Sequence, residues 1–289
     1  MIQKHAALSA KIDITDLDWE EARRVGLTPA EANILTYFAD IEGQTVFYLS
    51  ELLKLKSAHD PDSLAFATIW NYEEYFHSQA IMKLLDVCGY GLETDRLSTV
   101  RTSAKLQAKV EDAVQVVLAK LFPKSFHALW MAWGASQELL TLRGYEQIIR
   151  STQNPVLRIL CQRIAKQERR HFAWYFNTAK KLLAKSKFSR RFVRFIFDKF
   201  WTPVGGGVKS AAEIADMVSD LFPGTTLAEV SANIDHKLGA LPGMQGFDVM
   251  TRYAAGIAPR LPAPAAPDDC GVRRANDNAA PQIRLVQSL

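Results

Sequence analysis

Two stretches decide how this chain is read: YEEYFHSQAI at residues 72–81 and KQERRHFAWY at 166–175. Each sets a glutamate three residues before a histidine, Glu74 with His77 and Glu168 with His171. Residues three apart on a helix share a face, so each pair points two polar groups the same way. The tyrosines, phenylalanines and tryptophan around them mark that face as one that packs inward. An acid and an imidazole at core positions need a partner that water does not supply.

Helix signals surround both stretches. LTPAEANIL offers Thr28 as N-cap, Pro29 as first helical residue and Glu31 three beyond the cap, a capping box. That helix runs on to a break at SAHDPDS, residues 57–63. A second is expected from about Ser63 to Gly89, a third over roughly 99–121, and a fourth from Lys124 to about 151. In STQNPVLRIL, Asn154 can cap and Pro155 can open a helix continuing to about 186. Shorter helical patterns lie near 210–221, 226–238 and 245–255. No sustained alternation or hairpin turn marks a strand, so the fold class is all-α: a four-helix bundle with additional helices. The division expected is an N-terminal segment 1–27, a bundle 28–203, a helical extension 204–257 and a mobile tail 258–289, rich in Pro, Ala, Asn and Asp.

The acids can be tested for register. If the first two helices turn near residue 58, Glu42 lies as far before the turn as Glu74 lies after it, about 24 Å at 1.5 Å per residue. If the second pair turns at residue 153, Glu138 and Glu168 are level in the same way. The two hairpins share one plan, although their turns were placed from Pro, Asp and Asn. A solvated helix face explains any one of these acids but not all of them together. Four carboxylates facing one another in an apolar bundle are strongly unfavourable alone, and two divalent cations would balance them. The expected metal ligands are therefore Glu42, Glu74, His77, Glu138, Glu168 and His171, a nitrogen–oxygen set suited to iron or manganese rather than calcium. One Glu from each of two helices and Glu-x-x-His from two others is the known pattern of ferritin-like di-iron bundles. Glu73 and Gln167, each one residue before a ligand acid, are candidates to orient the outer nitrogen of a histidine on the facing helix, with a surface ion pair the alternative for Glu73.

At these residues the chain resembles the soluble acyl-carrier-protein desaturases, the ferritin-like di-iron fatty-acid desaturases. WNYEEYFHSQAIMKLLDVCG resembles that family's second-helix pattern through Trp70, Glu73, Glu74, His77, Lys83, Leu85 and Gly89. RIAKQERRHFAWY resembles its fourth through Ile164, Ala165, Glu168, Arg170, His171 and Tyr175. QELLT sets Thr141 three residues after Glu138, where the family keeps a threonine facing the oxygen-binding side of the metals; IEGQTVFY matches only loosely. The resemblance spans about 28–203. It implies two iron ions, with manganese admissible in one position, and dioxygen as co-substrate. It also implies Thr141 as a proton relay, an external electron donor such as a ferredoxin, a carrier-bound acyl or small-molecule substrate, and a homodimer. The reaction it implies is dioxygen-driven attack on a C–H bond of a long apolar substrate, with acyl desaturation, a step in fatty-acid metabolism, the first expectation. Gln167 departs from the family, which has Asp there on the proposed electron route. Related ferritin-like hydroxylases and N-oxygenases use similar ligands, and ferritins and rubrerythrins handle iron or peroxide on the same plan. A metal-free interaction bundle is the third reading.

Other signals are weaker. Formal net charge is +4 and apolar content 48%, and nothing in the whole-chain balance calls for nucleic acid. No run of about eighteen apolar residues and no signal-peptide pattern appears, so no transmembrane segment is expected. Three unpaired-looking cysteines, Cys88, Cys161 and Cys270, suit a reducing compartment, and the location expected is cytoplasmic. KKLLAKSKFSRRFVRFIFDK at 180–199 interleaves basic residues with Phe188, Phe192, Phe195 and Phe197. It reads as a solvated amphipathic helix or a docking face for an acidic carrier or anionic membrane. GGGVKS at 205–210 fails as a phosphate loop because Val208 precedes Lys209 and no strand leads into it. His5, His59, His127 and His236 have no ligand-spaced partner and are expected to serve packing or the surface.

Overall fold

The computed structural model describes residues 2–54, 60–93, 96–102, 117–206, 208–224 and 226–257. The fold is all-α, with no strand among the described residues. Four long helices dominate: α3 (Pro29–Leu52), α4 (Pro61–Val87), α6 (Pro123–Ser151) and α7 (Pro155–Lys185). Around them lie α1 (Ile2–Leu8), α2 (Trp19–Val25), α5 (Arg96–Thr102), α8 (Lys187–Phe200), α9 (Ala211–Leu221), α10 (Thr226–Gly239) and α11 (Val249–Ile257). No described helix is long and apolar enough to cross a membrane. The middle of the expected third helix, the expected tail and His59 lie outside the described residues.

The helix starts have local causes. Thr28 and Glu31 form a reciprocal capping box ahead of Pro29, and Asp60 caps Ser63 ahead of α4. Asn154 Oδ1 accepts from the N–H groups of Val156 and Leu157 at 3.0 and 3.1 Å. Its Nδ2 donates to the carbonyls of Ala22 and Gly26, so one side chain starts α7 and closes α2. The two N-terminal helices do not stand out in the sequence. Each is a seven-residue helix, too short to show a periodic face and held by packing rather than propensity.

α3 and α4 form one antiparallel hairpin, α6 and α7 the other, and polar contacts fix the first register. Asn71 Nδ2 donates to Thr45 Oγ1 at 3.1 Å, and Ser78 Oγ donates to the Ala39 carbonyl at 2.8 Å. Those pairs bracket Glu42 and Glu74 and leave them level. In the second hairpin, Gly134 lets the Tyr175 ring lie against α6: a Cβ there would fall 2.4 Å from that ring. The extension after residue 203 shares the bundle's core through Ile214, Met217, Val218 and Leu221. Polar ties secure it: Tyr37 Oη donates to the Val204 carbonyl at 2.6 Å, and Lys209 reaches Asp40 at 2.7 Å. Asp40 is buried and also takes a two-pronged hydrogen bond from Arg96 on α5.

Helix α8 buries Ser189, Val193 and Phe197 and leaves Phe188, Phe195 and Phe200 exposed. It is amphipathic, but its outer face is not purely polar.

Candidate metal centre

The four long helices bring six side chains to one place between the hairpins. Glu42 comes from α3, Glu74 and His77 from α4, Glu138 from α6, and Glu168 and His171 from α7. Their exposures are 3, 3, 0, 6, 1 and 0% respectively, so water does not solvate them. They form two overlapping groups whose ligand-type atoms lie within 4.8 Å of one another: Glu42, Glu74, His77 and Glu168, and Glu74, Glu138, Glu168 and His171. Glu74 and Glu168 belong to both. Glu168 Oε1 lies 3.1 Å from His77 Nδ1 while its Oε2 lies 3.7 Å from His171 Nδ1. Glu74 Oε2 lies 3.5 Å from His77 Nδ1 while its Oε1 lies 2.9 Å from His171 Nδ1.

Some of these are ion-pair distances, yet none is a directed hydrogen bond. Glu74 Oε1, both oxygens of Glu168, and Nδ1 of His77 and of His171 are buried without any hydrogen-bond partner. Orphaned polar atoms at this density are rare in a folded protein and ask for an unseen partner. The atoms pointing away from the centre are instead satisfied. His77 Nε2 bonds Gln167 Oε1 at 2.6 Å, and His171 Nε2 bonds Glu73 Oε2 at 2.7 Å. With each Nε2 donating outward, the neutral imidazole carries its lone pair on Nδ1, facing the centre. Trp70 Nε1 donates to Glu138 Oε1 at 2.9 Å, and Tyr145 Oη donates to Glu42 Oε1 at 2.6 Å. Each end acid is thereby left one oxygen for the centre.

The electrostatics of the bare cluster are under stress. Burial, with the charges of Glu74 and Glu168 added, pushes the Glu42 carboxyl well above the ordinary range; burial and Glu168 do the same to Glu138. Burial alone would lower His77 and His171, but the surrounding carboxylates override it and lift both imidazoles well above their usual value. Burial would also raise Glu74 and Glu168, yet the two imidazoles facing them hold both below the usual carboxylate range. Without a cation, then, burial and mutual repulsion of the carboxylates favour protons retained within the cluster. A pair of divalent cations would replace those protons, and the donor set present, four carboxylates and two imidazoles, fits such ions.

Around this centre lie residues the sequence reading did not assign to it. Trp70, four residues before Glu74, and Tyr145, seven after Glu138, are at helical spacing from a ligand-type acid, but which acid each reaches depends on the opposite hairpin. Arg170 donates to Glu73 Oε1 at 2.7 Å. His5 on α1 is buried, its ring 6.0 Å from that of His171, and burial followed by the charge of His171 lowers it to about 4. Its ring packs against Phe66 and Trp174, its Nε2 is buried without a hydrogen-bond partner, and it groups with Glu73 and His171 as ligand-type side chains. Phe66 stacks on Trp174 and meets Tyr175 edge-on, walling this side of the centre with aromatic rings. Thr141 is buried one turn beyond Glu138 on α6. Comparison of the chain with protein-family models, with curated proteins and with solved structures finds no match.

Proposed function

We propose that this chain is a non-haem di-iron oxidoreductase that uses dioxygen to attack a C–H bond of a long apolar substrate, with desaturation of a carrier-bound acyl chain as the specific reaction. The observation that carries the metal reading is the set of buried, unpartnered Nδ1 and carboxylate atoms facing one another while every outward nitrogen of the two histidines is hydrogen-bonded. Glu42 and His77 would hold one ion, Glu138 and His171 the other, and Glu74 and Glu168 would reach both. When bound, ferrous ions supply the electrons for dioxygen chemistry that no side chain can perform.

The protein's own part is orientation and dryness. Gln167 and Glu73 hold the two imidazoles in the tautomer that offers Nδ1. Tyr145 and Trp70 restrain the end acids, and Phe66, Trp70, Trp174 and Tyr175 keep water from one side. Thr141, on the same face as Glu138, would hold a transferable proton on Oγ1. The desaturase step itself rests on the sequence resemblance described above. An external one-electron donor of the ferredoxin kind would return the centre to its reduced state.

The deciding experiment is anaerobic reconstitution with ferrous iron, followed by exposure to air with acyl-chain analysis of cells expressing the protein. Two irons per chain, oxygen consumption and new double bonds are expected. Fewer than two irons would remove the di-iron reading. Bound iron and oxygen uptake without any acyl product would favour iron handling or peroxide scavenging.

A further inference from the structure

We infer that the two metal positions are unequal: the one held by His171 and Glu138 binds a divalent ion about tenfold or more tighter than the one held by His77 and Glu42, and Gln167 is the positioning residue responsible. This rests on the di-metal reading above. The inner donors of the two halves correspond. Each contributes one Nδ1, both share Glu74 and Glu168, and each end acid meets a neutral donor from an aromatic side chain, Trp70 Nε1 at 2.9 Å or Tyr145 Oη at 2.6 Å. They differ behind the imidazoles. His171 Nε2 donates to the carboxylate of Glu73 at 2.7 Å, whereas His77 Nε2 donates to the uncharged amide oxygen of Gln167 at 2.6 Å. A carboxylate behind an imidazole makes its metal-facing nitrogen the better electron donor, and such partners change metal affinity by about 10–100-fold. Arg170 shares the charge of Glu73 at 2.7 Å, which argues for the lower end of that range.

The neutral partner is built in. Gln167 Nε2 donates to the Ala10 carbonyl at 2.9 Å, and a carbonyl only accepts, so the amide cannot turn over and its oxygen must face His77. The N–H of the same Ala10 donates to Glu73 Oε1 at 3.3 Å. One residue of the N-terminal segment, Ala10, thus touches both side chains that orient the histidines. An aspartate or glutamate at position 167 would set a carboxylate oxygen against the Ala10 carbonyl; an amide satisfies both neighbours.

The test is an anaerobic titration of metal-free protein with Co(II), followed by calorimetry and by visible absorption. Two binding classes about tenfold or more apart are expected. Glu42→Gln should remove the weaker class and Glu138→Gln the tighter. Gln167→Glu should draw the classes together by strengthening the weaker, and Glu73→Gln by weakening the tighter; if one of these variants loses its helical circular dichroism, the other decides. Two equal classes in the native protein, or loss of the tighter class in Glu42→Gln, would overturn the inference while leaving the di-metal reading standing. A native protein that binds no Co(II) would overturn both.

Discussion

Stripping divalent metal should cost this protein a large share of its thermal stability. The six converging side chains are at most 6% exposed, so the metal-free protein cannot rely on water to disperse their charge. Burial and the neighbouring carboxylates instead lift the proton affinity of Glu42, Glu138, His77 and His171 above their ordinary values. An ion present at a thousandfold excess over its Kd stabilises the folded state by about 4 kcal/mol, so two contribute about 8 kcal/mol. At roughly 2 °C per kcal/mol for a chain of this size, chelation should lower Tm by about 15 °C. The pH dependence has a definite sign. The four lifted groups contribute stability to the metal-free form below their unfolded pKa values, near 4.5 for the acids and 6.5 for the imidazoles. That contribution is lost as pH rises toward their folded values. Glu74 and Glu168, held low, act oppositely but only as pH falls below about 4.5. Metal-loaded protein has already shed these protons, so the gap between loaded and stripped Tm should widen from about pH 6 to about pH 8. Scanning calorimetry of chelated and Mn(II)-reloaded protein measures it. A gap below about 3 °C, or one that narrows as pH rises, refutes the argument that cations complete this cluster.

Three substitutions probe the supports. Tyr145→Phe removes only the hydroxyl that donates to Glu42 Oε1, so metal affinity at that position should fall by about tenfold with helical content intact, read by Co(II) titration. Gly134→Ala places a methyl 2.4 Å from the Tyr175 ring, and the ring must shift; a loss of about 1–3 kcal/mol in urea unfolding is expected, and no loss would show that the ring is freely displaced. Asp40→Ala leaves Lys209 and Arg96 without their shared carboxylate, for a loss of about 3 kcal/mol, and Asp40→Asn should lose less.

What could be read ahead of the structure follows the distance over which each relation acts. The starts of α3 and α7 depend on Thr28, Asn154 and the prolines after them, all within a few residues, and they are legible; α4, expected from about Ser63, begins at Pro61 behind Asp60. The level placement of Glu42 with Glu74 depends on one turn and the helical rise, so counting from the turn is enough. α1 and α2 are harder to read because seven residues show no periodic face; α2 does carry a local cap in Asp18, while Asn154, more than a hundred residues away, closes its end. The burial of Asp40 is not legible, since Arg96 and Lys209 approach it from segments with no recognisable pattern of their own.

The contacts that turn six side chains into one centre cross between the hairpins. His77 of the first is held by Gln167 of the second, and His171 of the second by Glu73 of the first. Glu42 is held by Tyr145, and Glu138 by Trp70, in the same crossed manner. Neither hairpin therefore orients its own members of the cluster. The geometry exists only when both are docked, so a change in the contact between them should disturb Glu42, His77, Glu138 and His171 together rather than one. This also places the departure at Gln167 in physical terms. The residue answers to three elements at once: its own helix, His77 across the bundle, and the Ala10 carbonyl of the N-terminal segment. An acid there could serve the histidine but would leave the Ala10 carbonyl facing an oxygen that cannot donate, whereas the amide meets both demands and gives His77 a neutral neighbour.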